Sequence, residues 1–439
     1  MYRNATMALA VAAALGLPHG ATAQTQDELG TLREQVRQLD KRVTEAEQAA
    51  IQASSRPTGE NAMNPAVSVI LNGIYSNLSQ DPNAFRINGF IPTLGEVRPG
   101  VRGLSLGESE LALAANVDQN FRGTLIASIA SEDSIGVEEG YIQTLSLSYG
   151  FTVKAGRFFS GVGYQNQIHA HAWDFTDAPL ANKVFLGNQL GEDGIQLKWV
   201  APTETYFDIG VEVGRGRQFP AAAGPAGPRN KNGVGSSNFF AHVGGDLGTS
   251  VAWQTGVSYL STSPQDRTFD NLDSSGNPVN TNSFTGNSRL WVLDGILKWA
   301  PNYNPTYTNF KLQGEYFRRK EDGDLTSGTA VQTGGFTSAQ SGWYLQGVYQ
   351  FVPMWRVGYR YDRLDSGSTS FSTPLTAADF PILAAYNPTR HTVMVDWSPS
   401  EFSRVRLQAA SDKSRSDATD HQVFLQYIVS LGAHGAHKF

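Results

Sequence analysis

After Pro65 the apolar residues of this chain fall into a period of two and keep it to the end. About sixteen segments of roughly eight to twelve residues alternate apolar with polar side chains. They cover 67–78, 107–117, 121–130, 138–148, 151–158, 193–201, 205–214, 239–247, 251–260, 289–300, 306–317, 342–351, 355–364, 389–398, 402–411 and 421–439. The connections between them are short and long in turn. Residues 118–120, 149–150, 202–204, 248–250, 301–305, 352–354 and 399–401 make tight turns. The intervening links mostly reach or exceed the length that a compact soluble domain places between strands.

One tight end and one long end for every hairpin is the layout of an outer-membrane barrel, with periplasmic turns and extracellular loops. The faces agree: Arg404, Arg406 and Gln408 alternate with Val405, Leu407 and Ala409, Lys311 and Gln313 with Phe310 and Leu312, and Gln196 and Lys198 with Ile195, Leu197 and Trp199. A soluble sandwich would show the same alternation, so tryptophan placement has to separate the two. Trp199, Trp299 and Trp397 end downward strands and Trp253 and Trp355 begin upward ones, while Trp291 and Trp343 start downward strands. That makes two aromatic girdles, which a membrane barrel needs and a sandwich does not. The expected fold is an all-β transmembrane barrel of about 16 antiparallel strands, with a short periplasmic coiled-coil helix before it.

The amino-terminal residues supply that helix and an export signal. Arg3, an apolar stretch from Ala5 to Leu17, and Ala21-Thr22-Ala23 have the form of a signal peptide, 1–23. In 24–53, Leu29, Leu32, Val36, Leu39, Val43, Ala46, Ala50 and Ala53 step by three and four, a heptad seam. Residues 54–65 read as a linker and 66–439 as the barrel. Composition narrows the functional classes. Only 17% of the 439 residues are charged and the net charge is -6, without a block of like charge, so a nucleic-acid surface has no electrostatic footprint. Absence of cysteine removes disulfides and thiolate metal sites. No P-loop or H-E-x-x-H motif is present, and neither an enzyme nor a resident cofactor is expected.

Several runs carry a resemblance: Ser105 to Leu111, Tyr141 to Leu145, Lys154 to Phe159, His169 to Phe175, and the tail from Phe424 to Phe439. The mature chain resembles a Gram-negative porin of the sixteen-stranded trimeric type, and its leader is similar to the periplasmic helical segment of some substrate-selective porins. The runs also resemble a little-characterised group of proteobacterial outer-membrane proteins often labelled TonB-dependent receptors, sometimes as zinc-regulated. The chain departs from such receptors in having no plug and too few residues for twenty-two strands. The resemblance implies an outer-membrane homotrimer for passive diffusion of small hydrophilic or charged solutes. It also implies contact with outer-membrane lipid and recognition by the barrel assembly machinery through Phe439. The alternative is a substrate-specific uptake protein for a metal ion or metal chelate.

In porins the third external loop forms the constriction, here residues 159–192, with His169, His171, Trp173, Asp174, Asp177, Lys183, Glu192 and Asp193. Assigning polar faces to the lumen puts Glu108, Glu110 and Glu139 on early strands, with Lys154 beginning a basic group of Arg356, Arg360, Arg390, Arg404 and Arg406. Such segregation sets a field across the lumen that filters solutes, unless the charges simply pair, Arg360 with Asp362 and Arg390 with Asp396. His169-x-His171 on an extended segment, with Asp174 nearby, offers two metal ligands. His434 and His437 fall on opposite faces of the last strand.

Overall fold

The computed structural model describes residues 65–91, 97–129, 134–223, 231–273 and 275–432, within the compact unit Pro65–Phe439. The signal peptide, the coiled coil, residues 54–64 of the linker, His434, His437 and Phe439 lie outside the described residues. Among the described residues, eighteen strands form one sheet. The first nine are β1 (Ala66–Leu78), β2 (Gly103–Leu106), β3 (Ser109–Asn116), β4 (Phe121–Ile129), β5 (Ile135–Thr144), β6 (Phe151–Phe159), β7 (Gly191–Val200), β8 (Tyr206–Gly214) and β9 (Ser236–Leu247). The rest are β10 (Val251–Thr262), β11 (Arg267–Leu272), β12 (Pro278–Trp299), β13 (Asn309–Ser327), β14 (Gln332–Val352), β15 (Trp355–Phe371), β16 (Thr389–Ser400), β17 (Ser403–Lys413) and β18 (Asp420–Gly432).

All pairings are antiparallel, and β18 returns to β1 in register from Ser68↔Gly432 to Leu78↔Gln422, which closes the sheet. Strands β2 and β3 share one position in the wall, both pairing with β1, and β10 and β11 share another, both pairing with β12. The result is a closed antiparallel barrel of sixteen staves. Each alternating segment of the sequence corresponds to one stave.

The outward face explains the girdles. Trp291 on β12 and Trp299 at its foot are eight residues apart, about 20 Å along the barrel axis for a tilted strand, close to the apolar height of roughly 25 Å in such barrels. Between those levels the outward residues are apolar and exposed, among them Leu293, Leu345, Val393, Leu407 and Leu425. The rims are knit by aromatic pairs: Trp355 on Trp397 at 6.1 Å below, and Trp291 on Tyr259 at 4.6 Å above.

Strands β12 to β15 run past the upper girdle, beyond the bounds their alternation suggests: β12 begins at 278 rather than 289, β13 continues to 327, β14 begins at 332, and β15 continues to 371. The physical reason is a change of solvent. Above Trp291 the outside is water, so Arg318, Lys320 and Asp324 point out, while Phe284, Leu325 and Phe336 turn in and are buried. Polarity reverses while the period of two persists.

Inside the upper barrel two apolar clusters form around inserted loops. One gathers Phe90, Val162, Leu180, Val184, Phe185 and Leu190 against wall residues that include Leu260, Leu290, Phe317 and Leu364. The other packs Ile91, Phe219, Phe380, Ile382 and Leu383 against Phe269, Phe284, Leu325 and Phe336.

The two solvents of the outward face give a direct test. Leu345→Arg, between the girdles, is expected to destabilise the barrel by about 2–4 kcal/mol, whereas Asp324→Arg, outward but above the girdle, is expected to change it by less than about 0.5 kcal/mol. Urea unfolding from lipid vesicles measures both, and equal effects would remove the assigned membrane level.

Candidate functional site

The connection between β6 and β7, residues 160–190, turns into the lumen and crosses it. Its entry is anchored by wall carboxylates. Glu212 accepts from Ser160 Oγ at 2.5 Å and Gly161 N at 2.8 Å, and Glu315 Oε1 accepts from the backbone N–H groups of Tyr164 and Gln165 at 2.5 and 3.1 Å. Asn166 staples the two ends together: its Nδ2 donates to the carbonyls of Ser160 and Leu190, and its Oδ1 accepts from Leu190 N at 2.6 Å. Near the exit lies the short helix α1 (Leu180–Leu186), set between Pro179 and Gly187, the latter left-handed at φ +64°. All seven helix residues are buried. Apolar side chains around most of a helix's circumference demand apolar surroundings on all sides, and the first interior cluster provides them.

Between these ends the loop carries opposite charges to opposite walls. His169 and His171 lie against the acidic wall. His169 Nε2–H donates to Glu139 Oε2 at 3.1 Å, its Nδ1 faces Glu110 and Glu138 at 3.4 and 3.3 Å, and His171 Nδ1–H donates to Glu110 Oε1 at 2.7 Å. The rings stack with centroids 5.8 Å apart. Burial alone would lower the pKa of His169, but the surrounding carboxylates raise it well above the ordinary value.

Asp174 and Asp177 lie against the basic wall. Asp174 pairs with Lys311 at 2.5 Å and Arg356 at 3.2 Å; Asp177 pairs with Arg360 at 3.2 Å, with Arg390, and with Lys183 of α1 at 3.1 Å. Arg406 and Arg404 donate to the carbonyl of Trp173, Gln408 Oε1 accepts from Thr176 N, and Asp362 Oδ1 accepts from Leu180 N at 2.9 Å. Burial pushes both aspartates up, yet the cations around them outweigh it: Lys311 and Arg356 hold Asp174, and Arg390, Lys183 and Arg360 hold Asp177, below the usual carboxylate range. Burial has the larger effect on Lys183 and lowers its pKa.

The candidate residues therefore divide. Glu110, Glu139, His169 and His171 meet at one wall; Asp174, Asp177, Arg356, Arg360, Arg390, Arg404 and Arg406 meet at the other. Lys154 lies over the Tyr141 ring at 4.4 Å, and Glu108 sits half-buried in the break between β2 and β3. Glu192 and Asp193 are on β7 and not in the loop; Asp193 pairs with Arg157 at 2.6 Å.

Of the local ion pairs considered from sequence, Arg360–Asp362 forms at 3.0 Å. Arg390 instead reaches Asp177 and Asp412, and Asp396 serves Arg356, Arg404 and Arg406. His169 and His171 do not occupy an extended segment: Ala170–Ala172 is a 3-10 turn, and Asp174 faces away from them toward the basic wall.

One residue escaped the alternation altogether. In β5 Glu139 pairs with Ile126 and Val137 with Ala127, so Glu138 is the extra residue of a β-bulge. A bulge re-aims a side chain, and consecutive glutamates here both reach His169. Glu212, Glu315 and Lys311, on the inward faces of β8 and β13, are among the other loop anchors that sequence reasoning did not single out.

No family model matches the chain. A protein of Aquifex aeolicus (strain VF5), described as uncharacterized, is 32% identical over 355 residues, which cover 77% of this chain and 70% of that one. The chain belongs to the family of that protein. Among solved structures, the loop L8 deletion mutant of OmpT, an outer membrane protein of Vibrio cholerae, is similar with a TM-score of 0.52 at 10% identity, over 84% of this chain and 100% of that one. In-vitro folded OmpT of the same organism gives 0.50 at 11% identity, over 85% and 99%. These likenesses are of fold.

Asp177→Asn takes a shared carboxylate from Arg360, Arg390 and Lys183. Removing one partner from a buried ionic cluster costs on the order of 3–5 kcal/mol, so faster amide exchange is expected over residues 174–186 in micelles. The pH dependence has a definite sign. With its folded pKa depressed, Asp177 contributes fully above its unfolded value of about 4 and loses that contribution only as pH falls through the lower folded value. Wild-type protection is expected to persist from about pH 7 to about pH 5, and its loss at the upper end of that interval would count against the clamp.

Proposed function

We propose that the protein is a porin of the Gram-negative outer membrane, a channel for passive diffusion of small hydrophilic or charged solutes that carries out no covalent chemistry. The observation that carries this reading is the third loop, which crosses the lumen of a lipid-facing barrel and is tied to the wall on both sides. Solutes then pass along the margins of that loop, where the charges not consumed in holding it select among them. Delivery by a signal peptide, trimerisation through the barrel wall and the heptad segment, and assembly through the terminal strand belong to the same reading.

A plugged, energy-coupled receptor finds no support in this barrel. Plugged energy-coupled transporters use 22 strands, and this barrel has sixteen staves with its own third loop in the lumen.

Planar-bilayer recording tests the proposal. The purified protein is expected to give small, stable conductance steps, in threes for a trimer, and the double variant Asp174→Asn/Asp177→Asn is expected to give larger or noisier steps because the basic-wall anchor is released. Silence from both proteins after verified insertion would overturn the channel reading.

A further inference from the structure

Three donor atoms at the acidic wall converge on one point. His169 Nδ1 is 3.4 Å from Glu110 Oε2 and 3.3 Å from Glu138 Oε2, and the three ligand atoms lie within 4.8 Å of one another. Neither contact is a hydrogen bond: His169 Nδ1 and Glu138 Oε2 are both buried, and both lack a hydrogen-bond partner. Buried polar atoms without partners are rare enough to need a cause. The distances supply one. Around a tetrahedral ion with bonds of about 2.0–2.1 Å to nitrogen and oxygen, neighbouring donors sit about 3.3–3.4 Å apart.

The surroundings complete the arrangement. A metal-binding imidazole usually donates its second N–H to a carboxylate, which fixes the tautomer and aims the free lone pair. His169 Nε2–H donates to Glu139 in this way, and Nδ1, where an ion would take the place of a proton, is turned toward Glu110 and Glu138. Glu110 is itself held, because its other oxygen accepts from His171. Among the described residues, these are the His, Asp and Glu side chains whose donor atoms come close enough together to share an ion.

We propose that Glu110, Glu138 and His169 bind a divalent transition-metal ion of the Zn(II) class, with Glu139 and His171 as positioning residues. One nitrogen and two carboxylate oxygens suit Zn(II), which accepts four-coordination with the last position left to water or a solute. Calcium and magnesium want six or more oxygens and are disfavoured by the imidazole. The two ligating carboxylates balance the ionic charge. Two ligands come from the wall, on β3 and β5, and one from the loop. The ion therefore ties the histidine end of the loop to the barrel, as the arginines tie its aspartate end. The site does not depend on the channel reading, since a non-conducting barrel would present the same ligands.

The test is isothermal titration of zinc chloride into full-length, untagged protein purified in detergent and stripped with chelator. One ion per chain is expected. Glu138→Gln keeps the size of a side chain whose Oε2 makes no hydrogen bond, so it leaves the barrel intact, as a heat-dependent gel shift verifies. It and His169→Ala are each expected to weaken binding at least tenfold. The double variant His434→Ala/His437→Ala is expected to bind like wild type, and calcium chloride is expected to give no saturable binding. Absence of saturable zinc binding overturns the proposal. So does wild-type affinity in both Glu138→Gln and His169→Ala, or loss of binding confined to the His434/His437 variant.

Discussion

Closure of β18 onto β1 is the constraint from which the rest of this structure follows. Lipid offers no hydrogen bonds, so an open sheet edge between the two girdles would leave a row of unpaired backbone groups. The ladder from Ser68↔Gly432 to Leu78↔Gln422 removes that edge. Once the wall is closed, each residue has one of two fates, lipid or lumen. The alternation of Val423, Leu425, Tyr427 and Val429 with Gln422, Phe424, Gln426 and Ile428 on β18 expresses that choice.

A closed wall leaves an interior to fill, and here the filling is polar at mid-height and apolar above. The third loop is made for this gradient. Its helix α1 sits among Phe90, Phe317 and Leu364, while its middle carries imidazoles to glutamates and carboxylates to arginines. Opposite charges at the two ends determine its orientation: turned about, the loop would set His169 beside Arg360 and Asp177 beside Glu110. Like-charge contact of that kind is costly in a low-dielectric interior, so electrostatics selects one placement of the loop from two that are comparable in shape.

Much of this was legible in the sequence because lipid imposes a strict rule on outward residues. Leu407 and Leu425 had to face the membrane, and Trp299 and Trp291 had to mark its edges, which fixed the staves and their inward sets. Three things were not legible. Glu138 was hidden because a bulge inserts one residue and breaks the parity on which inward assignment rests. The upper halves of β12 to β15 were hidden because above the girdle water replaces lipid, and outward Arg318 and Lys320 imitate a loop. The partners of Asp174 and Asp177 were hidden because Lys311, Arg356 and Arg390 lie far away along the chain and meet the loop only across the lumen.

The choice of ions over apolar contacts at the loop's middle has its own logic. A buried ion pair adds little net stability over a well-packed apolar substitute, because desolvation offsets the Coulomb gain. Ions instead keep the crossing polar, with Arg360, Arg390 and Arg406 buried and Asp177 partly exposed. Asp177 shows the compromise. Its carboxylate serves Arg360, Arg390 and Lys183 together, and Gln408 donates to the same group, so one carboxylate balances several cations, although Arg390 Nε keeps no hydrogen bond. On the histidine side Glu138 Oε2 and His169 Nδ1 are likewise left without hydrogen bonds. Both ends are thus held by charge balance more than by a full set of hydrogen bonds, which ties the loop to β3 and β5 on one side and to β13, β15 and β16 on the other.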